Sequence, residues 1–512
     1  MQLSKYWHWL LILPLAGCSV IDEYIRPNPV TVEQWQAPLP HDGNLGSLTN
    51  WWAQFKDPVL DQLLAQAQKE SPSLEIALAN IRTARANVLS ARAQGIPDLS
   101  STGSINRSKG GGGGGAFPAT TIEIDSIALD ASWEVDLFGK IKAAKQAAKA
   151  QLEAKKIAWH DARLTVAAEV ANNYVNYRAC QASVDALQGA YNSRKETARL
   201  TGISAKAGFT APSDLALAEA ATHASESTLD GQQAECDGLV KALVELTNMP
   251  EPELRTLLAK RKGMPEPAMF EVNALPANLL TRRPDLAIDE RNLAEASANV
   301  GVAKAQLYPS LTLSGSIGYR RTNFGGTVTR ADTWSYGPSV KLPIFDGGTL
   351  RADLAESRAN FDSLMATYKQ DVRKALKEVE QALVNLDSAT RRAQSEQASA
   401  QQYAQYFKAA ELNWKSGGID LLSLEDARRQ KINAELNLVT QQKNRVLQWI
   451  ALYKAFGGDW YDVQQQANQE RKNAEAGQYR AGQPKSDPSK VDQSKSDPSR
   501  PAGLNKQTEK GK

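Results

Sequence analysis

Residues 349–416 contain no glycine and no proline. Leu350, Leu354, Phe361, Leu364, Tyr368, Val372, Leu376, Val379, Leu383 and Leu386 recur through them at threes and fours, with one skipped position. That spacing draws an apolar stripe along one helix, the seam of a coiled coil or of a helical wall. At 1.5 Å per residue such a helix is roughly 100 Å long, and no globular core extends that far. Residues 140–201 read the same way, interrupted at Gly189. Glycines follow both stretches, Gly202 and Gly208 in one and Gly417-Gly418 in the other. Glycine there suits a helix C-terminus that needs positive φ. The helical pattern resumes near Pro212 and Leu421, which predicts two very long helical hairpins.

Against this background a few stretches alternate with a period of two. In "PSLTLSGSIGY", residues 309–319, Leu311, Leu313, Gly315, Ile317 and Tyr319 alternate with Thr312, Ser314, Ser316 and Gly318. Such alternation is a half-buried strand. Strands are expected at about 99–107, 122–135, 310–321 and 333–342, two in each of two copies of one pattern. Residues 72–105 align without gaps on 284–317 with 16 identities in 34 positions, and farther along the offset becomes 209. Each copy reads helix, strand, turn, strand, very long helix, tight turn, helix. A tandem repeat of this kind governs the whole architecture. We divide the chain into a signal peptide (1–17), an extended N-terminal segment (18–50), a first repeat (51–270), a second repeat (271–463) and a disordered polar tail (464–512). The tail repeats "KSDPSK" and "KSDPSR". The "KGGGGGG" run before Ala116 is a flexible connection and lacks the order of a phosphate-binding loop.

Four strands cannot close around an aqueous passage, since single-chain membrane barrels begin at eight. Yet each expected strand has the length a tilted membrane strand needs. An open sheet in lipid leaves edge backbone groups unsatisfied at several kcal/mol each. Closure between copies resolves this: two copies give eight strands, three give twelve, four give sixteen. The competing arrangement is a soluble α+β domain whose short sheet packs on helices.

The remaining composition narrows the function. No run of about eighteen apolar residues offers a membrane helix. A net charge of +3 argues against nucleic acid as the main partner. Four histidines (His8, His41, His160 and His223), three cysteines and five methionines leave little for a metal or nucleophile site. At the N-terminus, Lys5 precedes a short apolar run and then Leu15-Ala16-Gly17-Cys18. That tetrapeptide resembles the bacterial lipobox, in which the cysteine is lipidated and becomes the first residue of the mature protein. Ser19 after it favours the outer membrane in lipoproteins of this kind. The alternative is an ordinary signal peptide with an incidental cysteine.

With those features in view, "NWWAQFKDPVLDQLLAQA" (50–67), "ASWEVDLFGKIKAAKQAAKAQ" (131–151), "RRPDLAIDERNLAEASANVGVAKAQLYPSLTLSGSIG" (282–318) and "LPIFDGGTLRADLAESRA" (342–359) resemble the TolC-like outer-membrane efflux lipoproteins, in their NodT-like branch. The resemblance covers about 51–460. It implies a mainly α protein with a membrane β portion, built as a homotrimer. A twelve-stranded outer-membrane barrel, four strands per chain, would continue as an α-helical barrel through the periplasm. Such a duct catalyses nothing, needs no cofactor beyond lipid on Cys18 and sits in outer-membrane lipid. It joins a periplasmic adaptor and an inner-membrane transporter that supplies the energy.

The resemblance also places sites. A constriction follows the turn of the second hairpin, here "GGIDLLSLEDARRQ" (417–430). Leu422 would line an apolar ring, while Asp426 and Arg429, one helical turn apart, would hold neighbouring helices together. The alternative is an ordinary surface pair on one helix. Glu425 stands where the family pattern has an apolar residue. The turns Gly208-Phe209-Thr210 and Gly417-Gly418-Ile419 resemble adaptor-contacting tips, although plain turn chemistry explains the glycines equally. Cys180 and Cys236 flank Gly208 symmetrically, so an antiparallel hairpin sets them at equal height. In an oxidising compartment they form a disulfide or remain two buried thiols. The aromatics Trp133, Tyr319, Trp334 and Tyr336 are candidates for membrane-interface girdles. An export duct for small molecules is the leading function. A polypeptide-secretion duct and an envelope-linking structural coiled coil are the alternatives.

Overall fold

The computed structural model describes residues 23–27, 51–110, 120–267 and 283–458. Residues 1–17, Cys18, the Gly-rich connection at 111–119 and the tail from 464 lie outside the described residues. After a 3-10 turn at Trp52–Phe55 come α1 (Pro58–Glu70), α2 (Pro72–Ala93), β1 (Asp98–Gly110), β2 (Thr120–Val135), α3 (Lys140–Lys206), α4 (Pro212–Thr247) and α5 (Glu251–Ala259). The second repeat supplies α6 (Pro284–Ala305), β3 (Ser310–Phe324), β4 (Thr327–Lys341), α7 (Thr349–Lys415) and α8 (Leu421–Ala455). The repeats match element by element: α2 and α6 have 22 residues each, and α3 and α7 have 67 each.

Local chemistry starts and stops these helices. Asp57 caps α1, its Oδ1 accepting from the amides of Val59 and Leu60 at 3.0 and 3.3 Å, and Pro58 follows at the first position. The same buried carboxylate accepts from the Tyr174 hydroxyl at 2.7 Å and faces Arg261 at 3.4 Å. The start of the chain's folded part is thereby pinned to the middle of α3. Asp136 and Asp346 cap the two longest helices through the amides of Ile141 and Leu350. α3 runs unbroken through Gly189 and Gly202. Leu187 and Ala190 are buried in a small apolar cluster with Leu229 and Ile432, and this packing outweighs the ~1 kcal/mol that a helical glycine costs.

At mid-length of the hairpins the shorter helices wrap the long ones around a single core. Leu60 and Leu63 of α1, Tyr174 and Val175 of α3, Leu254 of α5, Leu293 of α6, Val379 and Leu383 of α7 and Leu452 of α8 are all buried there. Residues 23–27 lie against this belt, where the Tyr24 hydroxyl donates to the Glu290 carbonyl at 3.2 Å.

The strands form one antiparallel meander, β1-β2-β3-β4. Its register sorts the side chains into two faces. Rows such as Leu129–Ile317–Trp334 and Leu99–Ala131–Gly315–Tyr336 lie on one face. Rows such as Ser100–Asp130–Ser316–Ser335 lie on the other. Among the described residues neither face carries a helix layer, and Trp334 stands 73% exposed. The packed α+β alternative therefore does not describe this sheet. The apolar rows run from Leu311 to Tyr319, about 25 Å along the strand, comparable to the apolar band of an outer-membrane barrel. Beyond them the same face turns ionic, with Arg321 on Asp125 at 2.7 Å and Arg107 on Glu123 at 3.2 Å. Trp133 and Tyr319 lie toward opposite ends of this band, whereas Trp334 and Tyr336 fall between them.

β4 begins six residues earlier than the alternation predicts. Gly325 and Gly326 both adopt positive φ, 57° and 96°, and close a two-residue hairpin between β3 and β4. The added rungs lie beyond the apolar band, where no period of two marks them.

α6 and α7 meet through two carboxyl groups, Asp289 and Asp371. Burial, and then the neighbouring Asp371 charge, push Asp289 up to about 6. The folded chain therefore keeps this proton through a range in which an unfolded aspartate, near 4, has released it. Stability is expected to fall as pH rises from about 4 to about 6, by roughly 1 kcal/mol after allowing for partial exposure. Melting curves at pH 4.5 and 7.5 check this, and Asp289→Asn should flatten the difference; an equal slope in the variant would discard the assignment.

Candidate functional site

Both long helices leave the sheet and end at the far tips of the hairpins. Gly208 and Gly417 take φ of 79° and 77° there, and the amides of Phe209 and Gly418 turn back to the Ser204 and Asn413 carbonyls. The tips differ in what they show. Phe209 is 86% exposed, while Thr210 is tied to Ser204 through its hydroxyl and Ile419 is half-buried. An apolar ring held fully in water at a turn suits contact with another molecule.

Just behind the tips the two hairpins touch. Ala218 of α4 is buried with Leu421 and Leu424 of α8, and Ala198, Phe407 and Trp414 close the cluster. One turn deeper lies a charged group. Arg194 of α3 donates from Nε to Glu425 Oε2 of α8 at 2.9 Å. Arg428, 1% exposed, also pairs with Glu425. Arg428 further donates from Nη2 to Thr197 Oγ1 at 2.8 Å and lies 5.4 Å over the Phe407 ring. Burial, and then the Arg194 charge, bring the Arg428 guanidinium down to about 10. Two cations therefore share one carboxylate in a largely dry junction. Glu425 joins α3 to α8 through Arg194, and Arg428 joins them again through Thr197.

The residues expected to latch the constriction, Asp426 and Arg429, follow Glu425 on α8. Asp426 pairs with Arg429 and accepts from Gln430, all within α8. These contacts hold the Asp426 carboxyl below its ordinary range. Within the chain the pair joins no second helix. Leu422 is 67% exposed, beside two buried leucines at 421 and 424. No local signal announces Arg194 as a partner, because it lies 231 residues from Glu425. The one available sign was a carboxylate at a position where the family pattern is apolar.

Cys180 and Cys236 are joined in the structure, with Cα atoms 5.6 Å apart, linking α3 to α4 near the central belt. Among the described residues no group of histidine, cysteine and carboxylate side chains forms a metal site.

A sheet with one apolar and one polar face, continued by hairpins of some 100 Å, defines a membrane-inserted duct. The sequence profile described as outer membrane efflux protein matches residues 63–248 and 275–458, once in each repeat. Nodulation protein T of Rhizobium leguminosarum bv. viciae is 30% identical over 434 residues, covering 84% of this chain and 88% of that protein. The probable efflux pump outer membrane protein TtgC of Pseudomonas putida is 28% identical over 474 residues, covering 89% and 96%. Among solved structures, the outer-membrane channel OprN superposes with a TM-score of 0.78 at 29% identity, covering 87% of this chain and all of that one. The open state of the Neisseria gonorrhoeae MtrE channel gives 0.70 at 25%, covering 86% and 98%. The chain belongs to the outer membrane efflux protein family. It is a TolC-like outer-membrane efflux duct with a periplasmic helical portion, and it is not an enzyme.

Removing a buried partner from an ion cluster costs about 3 kcal/mol. Glu425→Gln should therefore loosen the hairpin contact and raise single-channel conductance in planar bilayers, whereas Asp426→Asn should change it far less. Equal conductance in wild type and Glu425→Gln would remove Glu425 from any role in closing the duct.

Proposed function

We propose that three copies close their sheets into a twelve-stranded barrel and that their hairpins form one continuous tunnel. The observation that carries this reading is the meander itself, apolar on one face, polar on the other and open at both edges. Edge groups in lipid are tolerated only when paired. Relatives at 28% identity are named for antibiotic and toluene efflux, which supports small molecules as cargo. The tips at 208–210 and 417–419 meet a periplasmic adaptor, with Phe209 as its apolar anchor. An inner-membrane transporter beyond the adaptor supplies the energy. Leu422 of each copy faces the axis and narrows the entrance, and the cluster around Glu425 keeps each pair of hairpins together in the closed state.

The duct reading is tested on purified protein. Light scattering should report three protomers, and bilayers should show stepwise conductance. Phe209→Asp should keep that conductance while losing co-purification of the adaptor. A monodisperse monomer without conductance contradicts the reading.

Lipid on Cys18 anchors the mature N-terminus. Incorporation of labelled palmitate should vanish in Cys18→Ser; label that persists in that variant would place the lipid elsewhere.

A further inference from the structure

The two ends of the sheet treat lipid differently. All four strands meet their helices at one end, so the Gly325-Gly326 hairpin lies at the end away from the periplasm. Toward the helices, the apolar face closes on the row Val135, Leu311 and Val340, without a charge. Toward the hairpin, from the Tyr319 row onward, the same face carries four cations, Arg107, Lys109, Arg321 and Arg330. Three carboxylates, Glu123, Asp125 and Asp332, share that face. At the same heights the opposite face holds one charge, Arg320, beside Ile122, Ile124 and Phe324. A wall standing in water at this height would carry charge on both faces. Here the charge is sorted to the lipid side.

These cations are not all taken up by their own carboxylates. Asp125 holds Arg321 at 2.7 Å and Glu123 holds Arg107 at 3.2 Å. Lys109 and Arg330 are exposed, and among the described residues neither has an ion-pair partner. Arg330 moreover stands directly opposite Arg321 in the register. Like charges so placed destabilise a sheet, and an anion between them reverses the sign. Two guanidinium groups side by side suit one phosphate, whose oxygens accept from arginine in pairs.

We infer that this zone docks a phosphorylated glycolipid of the outer leaflet. Arg321 and Arg330 take the innermost phosphate, and Arg107 and Lys109 take phosphates farther out. The inference rests on the membrane-inserted barrel proposed above and adds the lipid that surrounds it.

Height selects the lipid. The rows of Arg321, Arg107 and Lys109 follow the Tyr319 row at successive steps of two residues, about 7, 14 and 20 Å along the strand. At the tilt of a barrel strand these become about 5, 10 and 15 Å along the membrane normal. A phospholipid head adds only about 5–7 Å to each side of the hydrocarbon, so it reaches the first row and stops. A head built of phosphorylated sugars reaches all three.

Lipid binding to the purified full-length oligomer tests this. Delipidated protein in detergent should bind lipopolysaccharide, and should bind chemically dephosphorylated lipopolysaccharide or phosphatidylglycerol roughly tenfold more weakly. Lys109→Gln with Arg330→Gln should weaken binding of lipopolysaccharide by about thirtyfold. Arg320→Gln, at the same height on the opposite face, should bind as wild type does. Oligomer size and bilayer conductance, unchanged in all variants, separate lost lipid binding from lost closure. Equal affinity for the dephosphorylated glycolipid overturns phosphate recognition, and equal affinity for phosphatidylglycerol overturns the large head. Displacement by millimolar inorganic phosphate would make the ligand a free anion and reject the lipid. An equal loss in Arg320→Gln would reject the outward face as the site. Each of these leaves closure standing, whereas a monomeric, non-conducting wild type overturns closure and this inference with it.

Discussion

Unpaired backbone at the two edges of a four-stranded sheet is the constraint from which the rest of this structure follows. Each free N–H or C=O costs several kcal/mol in hydrocarbon, and the apolar face of the meander assigns it to hydrocarbon. A helix or loop covering the edge would serve in water, but among the described residues none lies there. On the closure proposed above, these edges pair with further copies of the chain, and the hairpins inherit whatever symmetry the sheet acquires. Their length then follows from a distance to be spanned, with a single packed belt at mid-height sufficient to hold them.

That belt explains why so elongated a chain folds at all. A hairpin of 67-residue helices has a large surface and little interior. Leucines from α1, α5 and α6 convert one stretch of it into a true core, fixed further by the buried Asp57 between Tyr174 and Arg261. Above the belt toward the tips, packing thins to small clusters, and the hairpins meet through apolar contacts together with the charged group around Glu425.

Most of the architecture was legible in the sequence because its physics is periodic. The stripe from Leu350 to Leu386 announced α7, the alternation from Leu311 to Tyr319 announced β3, and the ungapped match of residues 72–105 to 284–317 announced the repeat. What escaped was not periodic. The first rungs of β4 mix the two kinds of residue, with Val328, Arg330 and Asp332 on one face and Thr327, Thr329 and Ala331 on the other, so no alternation marks them. Gly189 read as a break because helix propensity is local, while the packing of Leu187 and Ala190 is not. The junction at Glu425 escaped for the same reason, since Arg194 and Arg428 reach it from distant parts of the chain. Asp426 and Arg429 were marked by the resemblance to the family, and within one chain they pair with each other along α8.

The disulfide belongs to only one of the two duplicated hairpins. Cys180 and Cys236 tie α3 to α4, while the positions that match them in the second repeat, Ala389 and Arg445, carry no such tie. Duplication thus produced two rods of nearly identical length and unequal compliance. One is covalently braced along its length, and its sibling is held by packing alone. Set side by side around an axis, stiff staves would alternate with pliant ones.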